Sequence, residues 1–467
     1  MGMLQRLFGS LRSGPLPQRA EAVDLNLRGV AAMREGRTAE AAVLLSQAVA
    51  ADPEHPDAHY NLGNSLLALE RFEEALRSYE RAVALRPDDA QAWSNRGISL
   101  ASLANHAAAL ESHTRAITLK PDFAEAYINR GVALQALNRH DAALSDFERA
   151  VALSPDDATA RNNFALCCLK LGHLARGWEA LEWRWKDAAF AGDKRNFPQP
   201  LWLGEQSLQG KTILLHDEQG YGDTLQFCRY APLVARRGAR VVLEVKKAIL
   251  PLLAGLAGAD RVIAKGEPLP EFDYHCPLLT LPLAFRTTVE TIPADIPYVR
   301  ADANLVRAWR ERLGPKRGLR VGLAWSANRF AAYGRARSIR LAELAEILPA
   351  GAQCISLQHE LSEEERAYIA GRPDIRHFGP EFPDIAALIA LVDIVVSVDT
   401  SILHVAGAMG RPVWILLRFN GDWRWMADRE DSPWYPTARL FRQPAPGDWS
   451  NLLGRVRDEL SRVELSA

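Results

Sequence analysis

Between residues 22 and 157 the small, apolar and polar positions recur with a 34-residue period. Gly29, Gly63, Gly97 and Gly131 share one phase, as do Ala41, Ala75, Ala109 and Ala143, then Ala48, Ala82, Ala116 and Ala150, then Pro53, Pro87, Pro121 and Pro155. Small residues at fixed places let two helices approach closely, and a proline closing each unit stops the second helix. The pattern predicts four antiparallel helical hairpins and a fifth that starts in phase at Ala158. In the fifth the lattice fails, with Ala165 in place of the glycine and Gly177 in place of the alanine. A terminal repeat departs in this way. Its second helix carries Trp178, Trp183 and Trp185, as suits a helix packed against a following domain.

Beyond Gly210 the period changes to short β-branched runs separated by helix-compatible stretches. Runs over 211–216 and 240–245 flank a helical stretch over 224–237, strand-like segments follow at 261–263 and 272–283, and a linker with Pro293 and Pro297 closes the series. A second series has strands at 319–325, 354–357, 394–398 and 413–417, a helix over 401–409 and a last helix over 451–465. Such alternation predicts two successive doubly wound α/β domains, whose ligands bind outside the carboxyl ends of the strands. The expected domains are a lead-in over 1–21, repeats over 22–190, a first α/β domain over 205–300 and a second over 301–467.

Composition narrows the partners. The 467 residues are 48% hydrophobic and 24% charged with a net charge of -1, which suits a soluble protein and gives no footprint for nucleic acid or an anionic membrane as main partner. The five cysteines show no C-x-x-C spacing, which points to a reducing cytoplasm and against a zinc site. Residues 1–19 set Leu4, Leu7, Phe8 and Leu11 among Arg6, Arg12 and Arg19, a short amphipathic helix or a solvated lead-in, too short and interrupted for a secretory signal. No apolar run approaches the roughly 20 residues that span a bilayer, so no stable membrane insertion is expected.

Two strand-to-helix turns gather the chemistry. After 211–216 come Asp217, Glu218, Gln219, Gly220, Tyr221, Gly222 and Asp223, where glycines admit close approach and a helix start offers unpaired amides to an anion. A dinucleotide fingerprint fails there because Leu225 occupies the third glycine position, and a tight turn capped by Asp223 is the plain alternative. After 394–398 come Asp399, Thr400, Ser401 and His404, hydroxyls and amides suited to a diphosphate, with His404 facing the ligand or packed beneath the loop. Gln358 ends a neighbouring strand, with Trp325 and Asn328 on the same edge. Trp423, Trp425, Trp434 and Tyr435, with Asp422 and Asp431, shape a sugar pocket or, by the weight of aromatic surface, seal a domain interface. No D-x-D pair stands near a strand end.

The 34-residue lattice resembles tetratricopeptide repeats. The pair Gly222 and Asp223, with Asp399, Thr400, Ser401 and His404, resembles the two signatures of heptosyltransferase-type (family 9) glycosyltransferases of the two-domain GT-B fold, over roughly residues 205–445. That resemblance implies an enzyme without a resident cofactor or metal, using a nucleotide-sugar as co-substrate. It implies Asp223 as the general base and Gly222, Asp399, Thr400, Ser401 and His404 on the donor; the strand-end place of Gln358 adds it as a contact to the nucleotide base. It also implies a basic residue for the leaving diphosphate, here Arg337, with Arg329 and Arg335 on the same loop. Ser401 departs from the family's glycine. The layout is similar to that of protein O-GlcNAc transferases and bacterial flagellin glycosyltransferases, which implies a protein acceptor, possible in many forms and flagellin-like among them. Asn61, Asn95, Asn129 and Asn163 fall on the inner face of such an array, where amides can pair with a peptide backbone or serve the repeat itself. A scaffold that binds nucleotide without turnover, and a transferase acting on lipid-linked or lipopolysaccharide sugars, are the alternatives.

Overall fold

The computed structural model describes residues 16–187, 192, 194–327 and 332–466, so the amphipathic reading of Leu4, Leu7, Phe8 and Leu11 lies outside the described residues, as do Asn328 and Arg329. The chain forms two compact units, residues 1–164 and 165–467, and the division falls inside the helix Ala158–Lys170.

The first unit is a run of helical hairpins from Leu16–Arg34 onward. Each lattice glycine makes room for one large side chain 16 residues later. A Cβ on Gly29, Gly63, Gly97 or Gly131 would stand 2.4–2.6 Å from Leu45, Tyr79, His113 or Phe147, all fully buried. Contacts that short do not occur, so glycine is the residue that lets the two helices close on the knob. The prolines do more than end helices. His59, Trp93, Tyr127 and Arg161, 34 residues apart, each place a ring or side-chain nitrogen or hydroxyl 2.6–3.3 Å from the carbonyl of Pro53, Pro87, Pro121 and Pro155 respectively. Four residue types thus satisfy the same orphan carbonyl. The turn between the helices of a hairpin is left-handed at Gly36, Glu70, Ala104 and Asn138, where only the first and last are residues that enter this region at little cost.

His113 is the misfit among the four knobs. Both ring nitrogens are buried without a partner, and burial, then Arg130, pushes its pKa down to about 4. A group whose folded pKa lies below its unfolded one gives stability that is present above about pH 6.5 and lost as pH falls through about 4, here on the order of 3 kcal/mol. Phe147 fills the equivalent place. His113→Phe is therefore expected to raise stability by about 1–3 kcal/mol at neutral pH, with a difference from the parent that widens on acidification. Urea melts of both proteins between neutral and acid pH check this, and parallel pH dependences would refute it.

The second unit holds two parallel sheets. In the first, β1 (Thr212–His216), β2 (Arg240–Val245), β3 (Arg261–Ala264) and β4 (Tyr274–Pro277) lie in the order β3-β2-β1-β4. In the second, β5 (Arg320–Ala324), β6 (Gln353–Ser356), β7 (Ile375–Arg376), β8 (Ile394–Val398), β9 (Val413–Leu417) and β10 (Ala438–Arg442) run β10-β9-β8-β5-β6-β7. The expected architecture of a helical solenoid followed by two doubly wound sheets is present. The stretch 224–237 is not one helix: Tyr221–Phe227 and Ala231–Ala235 are separated by a short 3-10 turn, and Pro232, which lacks an N–H, opens the second piece. The segment 272–283 is a strand only to Pro277, after which it turns helical at Leu281–Ala284. Strands β7 and β10 are additions to the sequence reading.

Candidate functional site

Strand order changes direction at β1 in the first sheet and between β8 and β5 in the second, and both motif loops leave the carboxyl ends of those strands. Asp217 follows β1, and the helix Tyr221–Phe227 begins after Gly220. Asp223 sits on its first turn and accepts a hydrogen bond from the Gly220 N–H at 2.8 Å. Asp399 follows β8, and Thr400 caps the helix Ser401–Ala408 by accepting from the Ile402 N–H at 3.1 Å. The two helix starts touch. A Cβ on Gly222 would lie 2.8 Å from His404 Cδ2, so the glycine is what allows the first motif to rest on the second.

Arg424 joins them. Its guanidinium pairs with Asp223 through Nη2, with Asp422 at 2.9 Å through Nη1, and donates to Gln226 Oε1 at 2.9 Å through Nε. Both oxygens of Asp223 are thus engaged, one by Gly220 and one by Arg424. Arg337 stands 3.5 Å from Asp399. Burial, then the neighbouring Asp422, raises the pKa of Asp399 against the pull of Arg337 and Arg424. Burial also works against ionised Asp422, but Arg424 outweighs it and the net direction is downward. Asp422 carries the more secure charge of the two.

The remaining expected residues occupy varied settings. His404 is 4% exposed, shares a 2.9 Å hydrogen bond between Nδ1 and the Tyr435 hydroxyl, and packs beneath Gly222. Burial, then Arg424 and Arg229, holds it neutral, well below the usual histidine range. Ser401 is half-buried at the helix start. Gln358 Oε1 accepts from the N–H groups of Trp325 and Ser326 at 3.2 and 3.1 Å, tying the end of β6 to that of β5. Trp325 is fully buried and donates to Glu365 at 2.6 Å. Trp423, Trp425, Trp434 and Tyr435 are buried, in keeping with the interface reading, and Trp178 of the last hairpin packs edge-on against Trp423 and Trp434. Asp431 pairs with Arg429 at 2.6 Å. Arg424 was not among the sequence candidates; the only signal for it is a cation between two tryptophans after Asp422.

The asparagine row is less uniform than its spacing implies. Asn61 donates to Asn26 at 2.9 Å, Asn95 to Asn64 at 2.8 Å, and Asn163 to its own helix at Thr159, while the Asn129 amide nitrogen is buried without a partner. Among the described residues no cluster of three or more His, Cys, Asp or Glu is placed to hold a metal ion, and no helix is long and apolar enough to cross a membrane.

Comparison with known proteins agrees with this geometry. Residues 32–96 and 124–157 match tetratricopeptide repeats, and residues 361–417, which include β8 and the Asp399 loop, match glycosyltransferase family 9 (heptosyltransferase). The chain joins tetratricopeptide repeats to a family 9 glycosyltransferase domain. Protein FlbA of Caulobacter vibrioides is 31% identical over 327 residues, 63% of this chain and 54% of FlbA, so the match spans about half the length of that relative. Among solved structures, MamA from Desulfovibrio magneticus RS-1 is 19% identical over 38% of this chain and 98% of its own, with a TM-score of 0.32. Pseudomonas aeruginosa pilF is 21% identical over 38% of this chain and 80% of its own, with a TM-score of 0.33.

Proposed function

We propose that the chain is a cytoplasmic, metal-independent glycosyltransferase that moves a sugar from a nucleotide-sugar donor to a Ser or Thr hydroxyl of a protein, flagellin-like in the simplest case, recruited by the repeats. The observation that carries this reading is the meeting of the two helix starts, Gly222 on His404 with Asp223 bound to Arg424, inside a unit whose residues 361–417, with β7, β8 and β9, match family 9. In this reading residues 205–300 face the acceptor and residues 301–467 the donor. The acceptor oxygen bonds to the sugar's anomeric carbon as its proton passes to Asp223. The bond to the diphosphate breaks, its electron pair stays on the leaving oxygen, and the cation of Arg337 with the amides at Thr400 and Ser401 balances the charge there. Gln358 contacts the nucleotide base.

The test is incubation of the purified chain with uridine, cytidine, adenosine and thymidine sugar nucleotides and a co-expressed flagellin, reading nucleotide release and intact protein mass. Nucleotide binding without release from any donor would sink the transferase and favour a binding-only scaffold, a reading to which the engagement of both Asp223 oxygens lends support. Release with transfer only to lipid-linked or lipopolysaccharide sugars would keep the enzyme and change the acceptor. Substituting Asn95, Asn129 and Asn163 together by Ala is expected to lower protein glycosylation about tenfold, the scale of one lost hydrogen bond, and to spare donor hydrolysis. Equal loss in both assays would remove the recruitment role.

A further inference from the structure

The helix Ala158–Lys170 ends on a buried cation. The equivalent places in the four preceding repeats are Arg34, Ala68, Ser102 and Ala136; Arg34 is exposed, whereas the lysine here is 4% exposed. Its ammonium donates to the carbonyl of Gly421 at 2.6 Å and reaches that of Asp422 at 3.4 Å, while its own carbonyl accepts from the Ala427 N–H at 2.9 Å. Lys170 thus grips both ends of the loop 421–427 that carries Asp422 and Arg424. From the other side Arg442 on β10 donates to the carbonyls of Trp425 and Met426. The loop needs such holding, because Met426 adopts positive-φ backbone (φ 49°) without being glycine, asparagine or aspartate.

We propose that Lys170 is a positioning residue for the Asp223–Arg424 pair, holding loop 421–428 where Arg424 reaches Asp223. From Ala165 onward the chain of the last hairpin lies in the same compact unit as that loop. That the pair serves sugar transfer rests on the function proposed above; that Lys170 places it does not. An isolated cation would be costly here, and two carbonyls repay part of that cost. Arg442 and Arg418 repel the ammonium, Asp422 and Asp399 attract it, and burial, the largest influence, brings its pKa down to about 7. An opening of the loop that hydrates Lys170 therefore takes up a proton above about pH 7, so closure strengthens between about pH 7 and 10, by up to about tenfold per unit.

Hydrogen exchange of the full chain tests this without any turnover. In Lys170→Met, protection of amides 421–428 is expected to fall at least tenfold, with β8 unchanged. In the parent, protection of the same amides, corrected for intrinsic exchange, is expected to rise with pH above about 7. Unchanged protection of 421–428 in the variant overturns the proposal. The pH series needs no variant, and a flat profile in the parent overturns it equally. A chain that turns over no sugar nucleotide yet shows both effects would refute the transferase reading and keep this one.

Discussion

In Asp223→Asn, turnover is expected to fall by about two to four orders of magnitude, the range a positioned general base supplies, while nucleotide binding is kept. Asn has nearly the same shape, and its carbonyl oxygen can still accept from Gly220, whose N–H now bonds to the aspartate at 2.8 Å. What it cannot do is take the hydroxyl proton. Asp399, Thr400 and Ser401, proposed above for the donor, belong to the other sheet's loop and keep their own chemistry in the variant. Steady-state donor consumption and calorimetric titration with the released nucleotide separate the two effects. Turnover at the parental rate would remove Asp223 from the chemistry and leave it as the helix-start group that its bond to Gly220 also makes it.

The extent to which the sequence foretells this site depends on how local each cause is. The hairpins are legible because one glycine and one knob per repeat, such as Gly63 and Tyr79, enforce a single spacing. The side chains that satisfy the proline carbonyls are not, since His59, Trp93, Tyr127 and Arg161 share a task and no chemistry beyond a donor. The strand β8, five buried residues in IVVSV, reads directly, whereas β7 is two residues long and β10 begins and ends among arginines and polar neighbours. The motif residues Gly222, Asp223 and Asp399 stand at turns with recognisable chemistry. Arg424 lies 201 residues beyond Asp223 in an aperiodic loop, and only tertiary structure brings it there. Lys170 carries no such signal, since Arg34 holds the same place in the first repeat, and its target lies 251 residues away.

Arg424→Met is expected to cost the second unit about 3–5 kcal/mol, the penalty for breaking a buried ion pair from one side. The guanidinium now faces Asp223 and Asp422 directly and lowers the field on Asp399, and its side chain is only 12% exposed. Methionine fills much of the same space, so the loss is electrostatic in origin. Without Arg424, Asp422 and Asp399 confront each other in a buried setting that already raises Asp399, and one of them is expected to hold a proton at neutral pH. The sign follows: carboxyl groups raised above their unfolded pKa give stability that is present in acid and lost as pH rises through the folded value. The deficit of the variant should therefore be smaller near about pH 5 than near about pH 8, and adding Asp422→Asn should recover part of it at the higher pH. Urea unfolding of the single and double variants at both pH values provides the measurement. A deficit that is equal at both, or is untouched by the second substitution, would mean that Arg424 acts through packing against Trp423 and not through the charges it gathers.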